Sequence, residues 1–149
     1  MSEKKALSAI KARFGSALLD VFERSDRRVY IMVDKKDVPE ICRFMFEEQG
    51  GRLATVSGVD TRSGIEILYH FMFPRDHQVI TIKTKVKKPS PEIESVGKFY
   101  PAAVWIEREI SDVLGVKFAN HPDPRRLILA DDWPEGVYPY RRDFKEPEK

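Results

Sequence analysis

The stretch Ile65–Phe73, IEILYHFMF, decides the fold. Side chains alternate across a strand, so Ile65, Ile67, Tyr69, Phe71 and Phe73 share one face. Five large apolar groups on one face require a covering layer. Leu68 and Met72 on the opposite face predict that this side is partly covered too. Turn residues bracket the run, DTRSG (60–64) before it and PRDH (74–77) after it. Beyond the turns lie two more β-rich runs, RLATVSGV (52–59) and QVITIKTKV (78–86), which makes a three-stranded meander. In the last run Ile80 and Ile82 point one way and Thr81, Lys83 and Lys85 the other, giving one buried and one wet face.

Upstream, RVYIMV (28–33) reads as the first strand and DVPEICRFMFEEQGG (37–51) as a helix. Asp37 is its expected N-cap, Pro39 lies in its first turn, and Glu40 stands three residues after the cap. Ile41, Phe44 and Met45 form its apolar face, and Gly50-Gly51 stop it. Residues 3–24 read as an earlier amphipathic helix, with Leu7, Ile10, Phe14, Leu18, Val21 and Phe22 at helical spacing. Downstream, KKPSPEIESVGKFYP (87–101) reads as a connector, followed by a helix from Ala102 to Leu114 that stops at Gly115. Residues 119–149 show little periodicity, yet carry Leu127, Ile128, Leu129, Trp133, Tyr138, Tyr140 and Phe144. That is too apolar for a solvated tail and predicts an arm that lies on a surface. The order α-β-α-β-β-β-α-arm predicts an α+β two-layer sandwich: a small mixed sheet with helices on one side (core 1–118) and an extended C-terminal arm (119–149) in the same domain. The first two strands flank a helix and are expected to pair in parallel through a right-handed crossover.

Composition excludes several functions. A charged fraction of 34% with a net charge of only +2 means that both signs are interleaved, with no global field to attract nucleic acid. KTKVKKP (83–89), the most basic tract, reads as the solvated end of a strand whose lysines discourage edge pairing. The single cysteine, Cys42, rules out a disulfide framework and a cysteine-held iron–sulfur cluster. No apolar run is long enough to span a bilayer, and MSEKKALSAI lacks the apolar centre of a signal peptide. The expected location is the cytoplasm, with any membrane attachment supplied by other proteins. Asn120, Gln49 and Gln78 are the only side-chain amides amid abundant Lys, Arg and Glu, a pattern of thermophile proteins.

The stretch WIEREISDVLGVKFANHPDPRRLI (105–128) concentrates the residue types of an active site. On a helical wheel Ala102, Ala103, Ile106, Ile110, Val113 and Leu114 form the apolar stripe. Glu107 and Glu109 flank it about 200° apart and cannot converge on one substrate atom. Trp105, Arg108 and Asp112 lie on the far face, where Arg108 and Asp112 are expected to pair as i and i+4. His121 has no HxxxH, HExxH or CxxC partner, and Asp112, Glu109 and Asp123 do not make a recognisable zinc set around it. A soluble hydrolase built on Glu109, Asp112 and His121, or a nucleic-acid-binding domain using KTKVKK, would be the alternatives. His70 reads as a sheet-face histidine, His77 as a turn residue, and Cys42 as an inert core thiol. Trp105 on a polar face, with Arg125, Arg126, Arg141 and Arg142 in the arm, uses the residue types of protein interfaces. Cover by the chain's own arm would explain Trp105 equally well.

The segment EREISDVLGVKFANHPDPRRL resembles the signature of the 30 kDa subunit family of respiratory complex I, whose homologues occur in membrane-bound NiFe hydrogenases. The family pattern is filled by Glu107, Arg108, Glu109, Asp112, Val113, Leu114, His121, Arg125 and Leu127. YPAAVW (100–105) resembles its lead-in, and DDWPEGVYPYRRDF (131–144) resembles its tail. Two residues, Val137 and Tyr138, separate Gly136 from Pro139 where one is common, Tyr140 replaces the usual Leu, and the chain ends soon after RRDF. The resemblance implies an α+β sandwich with no redox centre, docked on a hydrogenase-like large subunit near the small iron–sulfur subunit. It implies a peripheral subunit on the cytoplasmic face of the membrane, within an ion-translocating hydrogenase or, alternatively, a quinone-reducing complex fed by NADH or F420H2. A NiFe centre, iron–sulfur clusters or quinone would belong to the partners. Glu107, Arg108, Glu109, Asp112, His121 and Arg125 would then fix the helix-to-arm corner. Trp105, Arg125, Arg126, Trp133, Tyr138, Tyr140, Arg141, Arg142, Asp143 and Phe144 would face the partner.

Overall fold

The computed structural model describes residues 4–148. Residue 3 of the predicted first helix and residue 149 of the predicted arm lie outside the described residues. The elements run α1 (Lys5–Phe14), β1 (Leu18–Ser25), β2 (Arg28–Val33), α2 (Val38–Glu47), β3 (Arg52–Thr61), β4 (Gly64–Phe73), β5 (Gln78–Val86), β6 (Glu92–Glu94), α3 (Ala103–Leu114) and β7 (Lys117–Ala119). Strands β1 to β5 form one sheet in the order β1-β2-β5-β4-β3. Only β2 and β5 pair in parallel; the other neighbours are antiparallel. This is the α+β sandwich with a small mixed sheet that the sequence predicts.

The meander is built as read. Ile65, Ile67, Tyr69, Phe71 and Phe73 of β4 are all buried, together with Ile80 and Ile82 of β5. The apolar faces of α1 (Leu7, Ile10, Phe14), α2 (Ile41, Phe44, Met45) and α3 (Ile110, Val113, Leu114) join the same cluster. Phe14 and Phe44 meet edge to face at 5.2 Å, locking α1 to α2. On the other side of β4, Leu68 is half-buried and lines one groove with Phe22 of β1 and Tyr30 and Met32 of β2. Met72 on that side is 44% exposed.

Four expectations are corrected. The predicted helix over 3–24 ends at Phe14; Gly15–Ala17 form a single 3-10 turn, and Leu18–Ser25 become β1. Leu18, Val21 and Phe22 keep the helical spacing, but pairing with β2 overrides it and sends Val21 toward the core and Phe22 to the other face. In the strand, Phe22 stands opposite Tyr30 with ring centroids 6.4 Å apart. Asp37 occupies the N-cap of α2 without a side-chain cap bond. A 3-10 turn precedes it, and Asp34 accepts from the Lys36 N–H at 3.0 Å instead. The parallel partner of β2 is β5, because the meander folds back to place its last strand, and not β3, in the centre. Finally, the connector holds β6, which pairs in parallel with β7 just beyond α3. Three-residue strands carry too little pattern to be seen in sequence.

The contact between α3 and β3 positions the signature helix. Gly58 makes it possible: a Cβ there would lie 2.5 Å from Leu114 Cδ1 and 3.3 Å from Ile110 Cγ2. Both neighbours are buried. Gly58→Val should therefore destabilise the fold by about 2 kcal/mol through overpacking, read as a lower urea midpoint at unchanged slope.

Candidate functional site

Helix α3 enters through the turn Val96–Pro101 and ends at Gly115, whose φ of 73° is the left-handed conformation that closes a helix. Its inner face packs on β3. Its outer face carries Arg108 and Asp112, which the wheel placed in solvent and paired with each other. Both are buried, and neither bonds the other. The arm, which returns across this face, takes their bonding capacity.

The arm brings unpaired backbone groups, and α3 satisfies them. Arg108 Nε donates to the Arg125 carbonyl at 2.7 Å, and Nη2 donates to the Arg126 carbonyl at 2.9 Å. Its Nη1 lies 3.5 Å from Asp123 Oδ2. Asp112 Oδ2 accepts from three successive N–H groups, of Leu127, Ile128 and Leu129, at 2.9, 2.8 and 3.1 Å. Bonds with one charged partner are worth roughly 1.5–3 kcal/mol each, so this is the firmest hold on the arm. His121 fixes the bend before it. The Asp123 N–H donates to Nδ1 at 3.0 Å, which assigns the ring proton to Nε2, donating to the Val104 carbonyl at 3.0 Å. Arg125 bonds Asp123 with both Nε and Nη2, at 2.7 and 2.8 Å. These hydrogen bonds hold the Asp123 carboxyl well below the usual carboxylate range.

The rest of the arm is also held by its own chain. Arg126 Nη1 donates to the carbonyls of Ala130 and Trp133 at 2.9 and 2.8 Å. Trp133 Nε1 donates to the Val137 carbonyl at 2.8 Å, and its ring stacks with Phe144 at 6.4 Å. Tyr138 lies over Gly115, where any Cβ would strike its ring. The Tyr140 N–H reaches the Val113 carbonyl at 2.9 Å, and Arg141 Nε bonds the Leu114 carbonyl. The Arg142 N–H reaches Asp60 Oδ2 at 2.9 Å, and Lys88 Nζ holds Asp60 Oδ1 at 2.7 Å. The guanidinium groups of Arg125, Arg126 and Arg141, expected to face a partner, all make bonds within the chain. Asp60, which ties the arm's end to the sheet, was missed. A turn Asp gives no sequence signal of that role.

Other residues of the stretch stand apart. Glu107 is fully buried on the inner side; its Oε1 accepts from Ser95 Oγ at 3.0 Å and the Gly97 N–H at 2.7 Å. Glu109 and Asp143 are exposed. Trp105 is 68% exposed, so the arm does not cover it. Ile128 at 54% and Tyr140 at 67% are also exposed. Among the described residues no three His, Cys, Asp or Glu side chains are grouped to hold a metal. On the sheet's open face His70 bridges Ser57 Oγ at 3.0 Å and Thr81 Oγ1 at 2.9 Å. Burial lowers the His70 pKa. A serine–histidine contact whose third member is Thr lacks the carboxylate of a nucleophilic triad, and it serves as a tie across three strands.

The profile of the respiratory-chain NADH dehydrogenase 30 Kd subunit family matches residues 31–149. The chain belongs to this family. It is 33% identical to a subunit of the F(420)H(2) dehydrogenase of Methanosarcina mazei, over 97% of this chain and 93% of that one. It is 35% identical to formate hydrogenlyase subunit 5 of Escherichia coli over 96% of its own length, but spans only 26% of that protein. In structure it matches a chain of the membrane-bound sulfane sulfur reductase, an archaeal respiratory membrane complex, with TM-score 0.80 and 25% identity. That match covers 95% of this chain and 86% of the other.

Asp112→Ala removes the shared acceptor of three part-buried N–H groups and should cost about 3 kcal/mol. Hydrogen exchange at Leu127, Ile128 and Leu129 should accelerate at least a hundredfold, while amides of β4 stay protected.

Proposed function

We propose that the chain is a non-catalytic peripheral subunit of a membrane-bound hydrogenase or a related complex I-like oxidoreductase, docking on a hydrogenase-like large subunit. The observation that carries this reading is the ordered arm. Residues 120–148 contain no helix or strand, yet are pinned to α3 by buried charged side chains, and together they present Trp105, Ile128 and Tyr140 outward. Aromatic and large aliphatic groups fixed on a rigid frame are what a protein partner binds, since little ordering entropy is lost on contact. The module also recurs in two contexts: spanning nearly all of one relative, and about a quarter of another that is 35% identical. A module separate in one protein and part of a longer one in another is suited to a partner that can be either a neighbour or the same polypeptide.

Electron transfer is then carried by neighbours. NiFe, iron–sulfur and quinone chemistry would reside in the large subunit and the small iron–sulfur subunit, and this chain would supply no ligand. Among the described residues no helix is long and apolar enough to cross a membrane. Attachment to the cytoplasmic face would come through the complex, which would also house ion translocation. The near end-to-end match to an F(420)H(2) dehydrogenase subunit favours, as a second reading, the equivalent 30 kDa-type subunit of a quinone-reducing complex. The scarcity of Asn and Gln supports a thermophilic host.

Trp105→Ala combined with Ile128→Asp tests the surface without touching the arm's internal bonds. Capture of a coexpressed large subunit should fall at least a hundredfold with the melting temperature unchanged. Full capture by the double variant would refute this surface.

A further inference from the structure

Glu107 has one satisfied oxygen and one orphan. Its Oε1 accepts two hydrogen bonds, whereas Oε2 is buried with no partner. Three acids face it, Tyr69 from β4, Cys42 from α2 and Glu94 from β6, and His121 lines the same pocket with both ring nitrogens bonded to the backbone. The Tyr69 hydroxyl is likewise buried and unpartnered. The nearby cations are engaged elsewhere: Arg108 with the arm's carbonyls, Lys98 with Glu94, and Lys117 4.0 Å from Glu92. An anionic Glu107 therefore places half its charge where no donor or cation meets it, a costly state in a dry site.

The same helical turn carries the hold on the arm. Arg108 is the next residue, and Asp112 lies little more than one turn on. Their bonds to five arm backbone groups span only 2.7–3.1 Å. Glu107 also borders the pocket that Arg108, His121, Pro124 and Tyr138 line between α3 and the arm, so drawing water to Oε2 acts on the contact that holds the arm.

We propose that Glu107 is a buried proton-binding residue that latches the arm: protonated, it lets α3 sit flush and hold residues 125–129; ionised, it loosens that hold. Burial, opposed by the Ser95 hydroxyl and the backbone N–H groups of Gly97 and Val96, raises its pKa to about 7. The folded value lies above the ordinary 4.5, so its stabilising contribution is complete below about pH 4.5 and lost as pH rises through about 7. The arm's presentation thereby responds to protons near neutrality.

Hydrogen exchange across pH 5–9 on the intact chain, corrected for intrinsic rates, tests this. In the wild type, protection of Leu127, Ile128 and Leu129 should fall at least tenfold as pH rises through about 7, while β4 amides hold. Glu107→Gln keeps the acceptor for Ser95 and Gly97 but cannot ionise, and should abolish the fall. Ser95→Ala removes a donor to the carboxylate and should move the midpoint up by about one pH unit; it keeps the test decisive if the Gln variant does not fold. Arm protection independent of pH, an undiminished fall in Glu107→Gln, an unmoved midpoint in Ser95→Ala, or equal loss across β4 would each overturn the proposal. Partner capture does not enter these readouts, so the proposal stands or falls separately from the docking role.

Discussion

Asp112 Oδ2, accepting three consecutive backbone N–H groups, is the interaction on which the arm depends. A chain segment without helix or strand brings donors and acceptors that must be paired once they leave water. Residues 125–129 approach a helix whose own backbone is already bonded, so only side chains can serve. A carboxylate supplies the acceptor for the N–H groups and a guanidinium, with its fork of donors, serves the carbonyls. Arg108 and Asp112, one turn apart on the outer face, cover both kinds of need. The price is that neither can pair with the other.

This division explains why α3 looks like catalytic machinery. Acids, a histidine and arginines are grouped because a tight corner of irregular backbone needs strong donors and acceptors, the same inventory that catalysis uses. What separates the cases is direction. Arg108, Asp112 and His121 all bond main-chain groups of their own chain. Arg108 and His121 border one pocket, but the bonds that orient them go to the backbone.

The sheet was legible because β4 carries an unbroken alternation between two clear turns, and both faces could be read from it. The helices α2 and α3 were legible from their apolar stripes and glycine stops. The boundary between α1 and β1 was not, since Leu18, Val21 and Phe22 continue the helical spacing and only the cross-strand neighbour overrides it. At the corner, the residues were found but their partners were not. An i, i+4 pairing of Arg108 with Asp112 is the best local option, and a wheel contains no information about a segment returning from farther along the chain. For the same reason the intrachain partners of the arm's arginines were not legible: the Asp123 carboxylate for Arg125, arm carbonyls for Arg126 and the Leu114 carbonyl for Arg141.

The helix therefore works on both sides with opposite rules. Its outer charges are buried only after the arm arrives, and each finds partners there. Its inner Glu107 is buried by the core itself, where Ser95 and Gly97 satisfy one oxygen and nothing satisfies the other. A fully apolar residue in its place would leave Ser95 Oγ without its acceptor in a buried turn and the Gly97 N–H with Ser95 Oγ alone. Glu107 is thus required by that turn, and its orphan oxygen follows from the choice of an acid. The hold on the arm and the buried acid Glu107 thus lie within six residues of α3, facing opposite sides of the same helix.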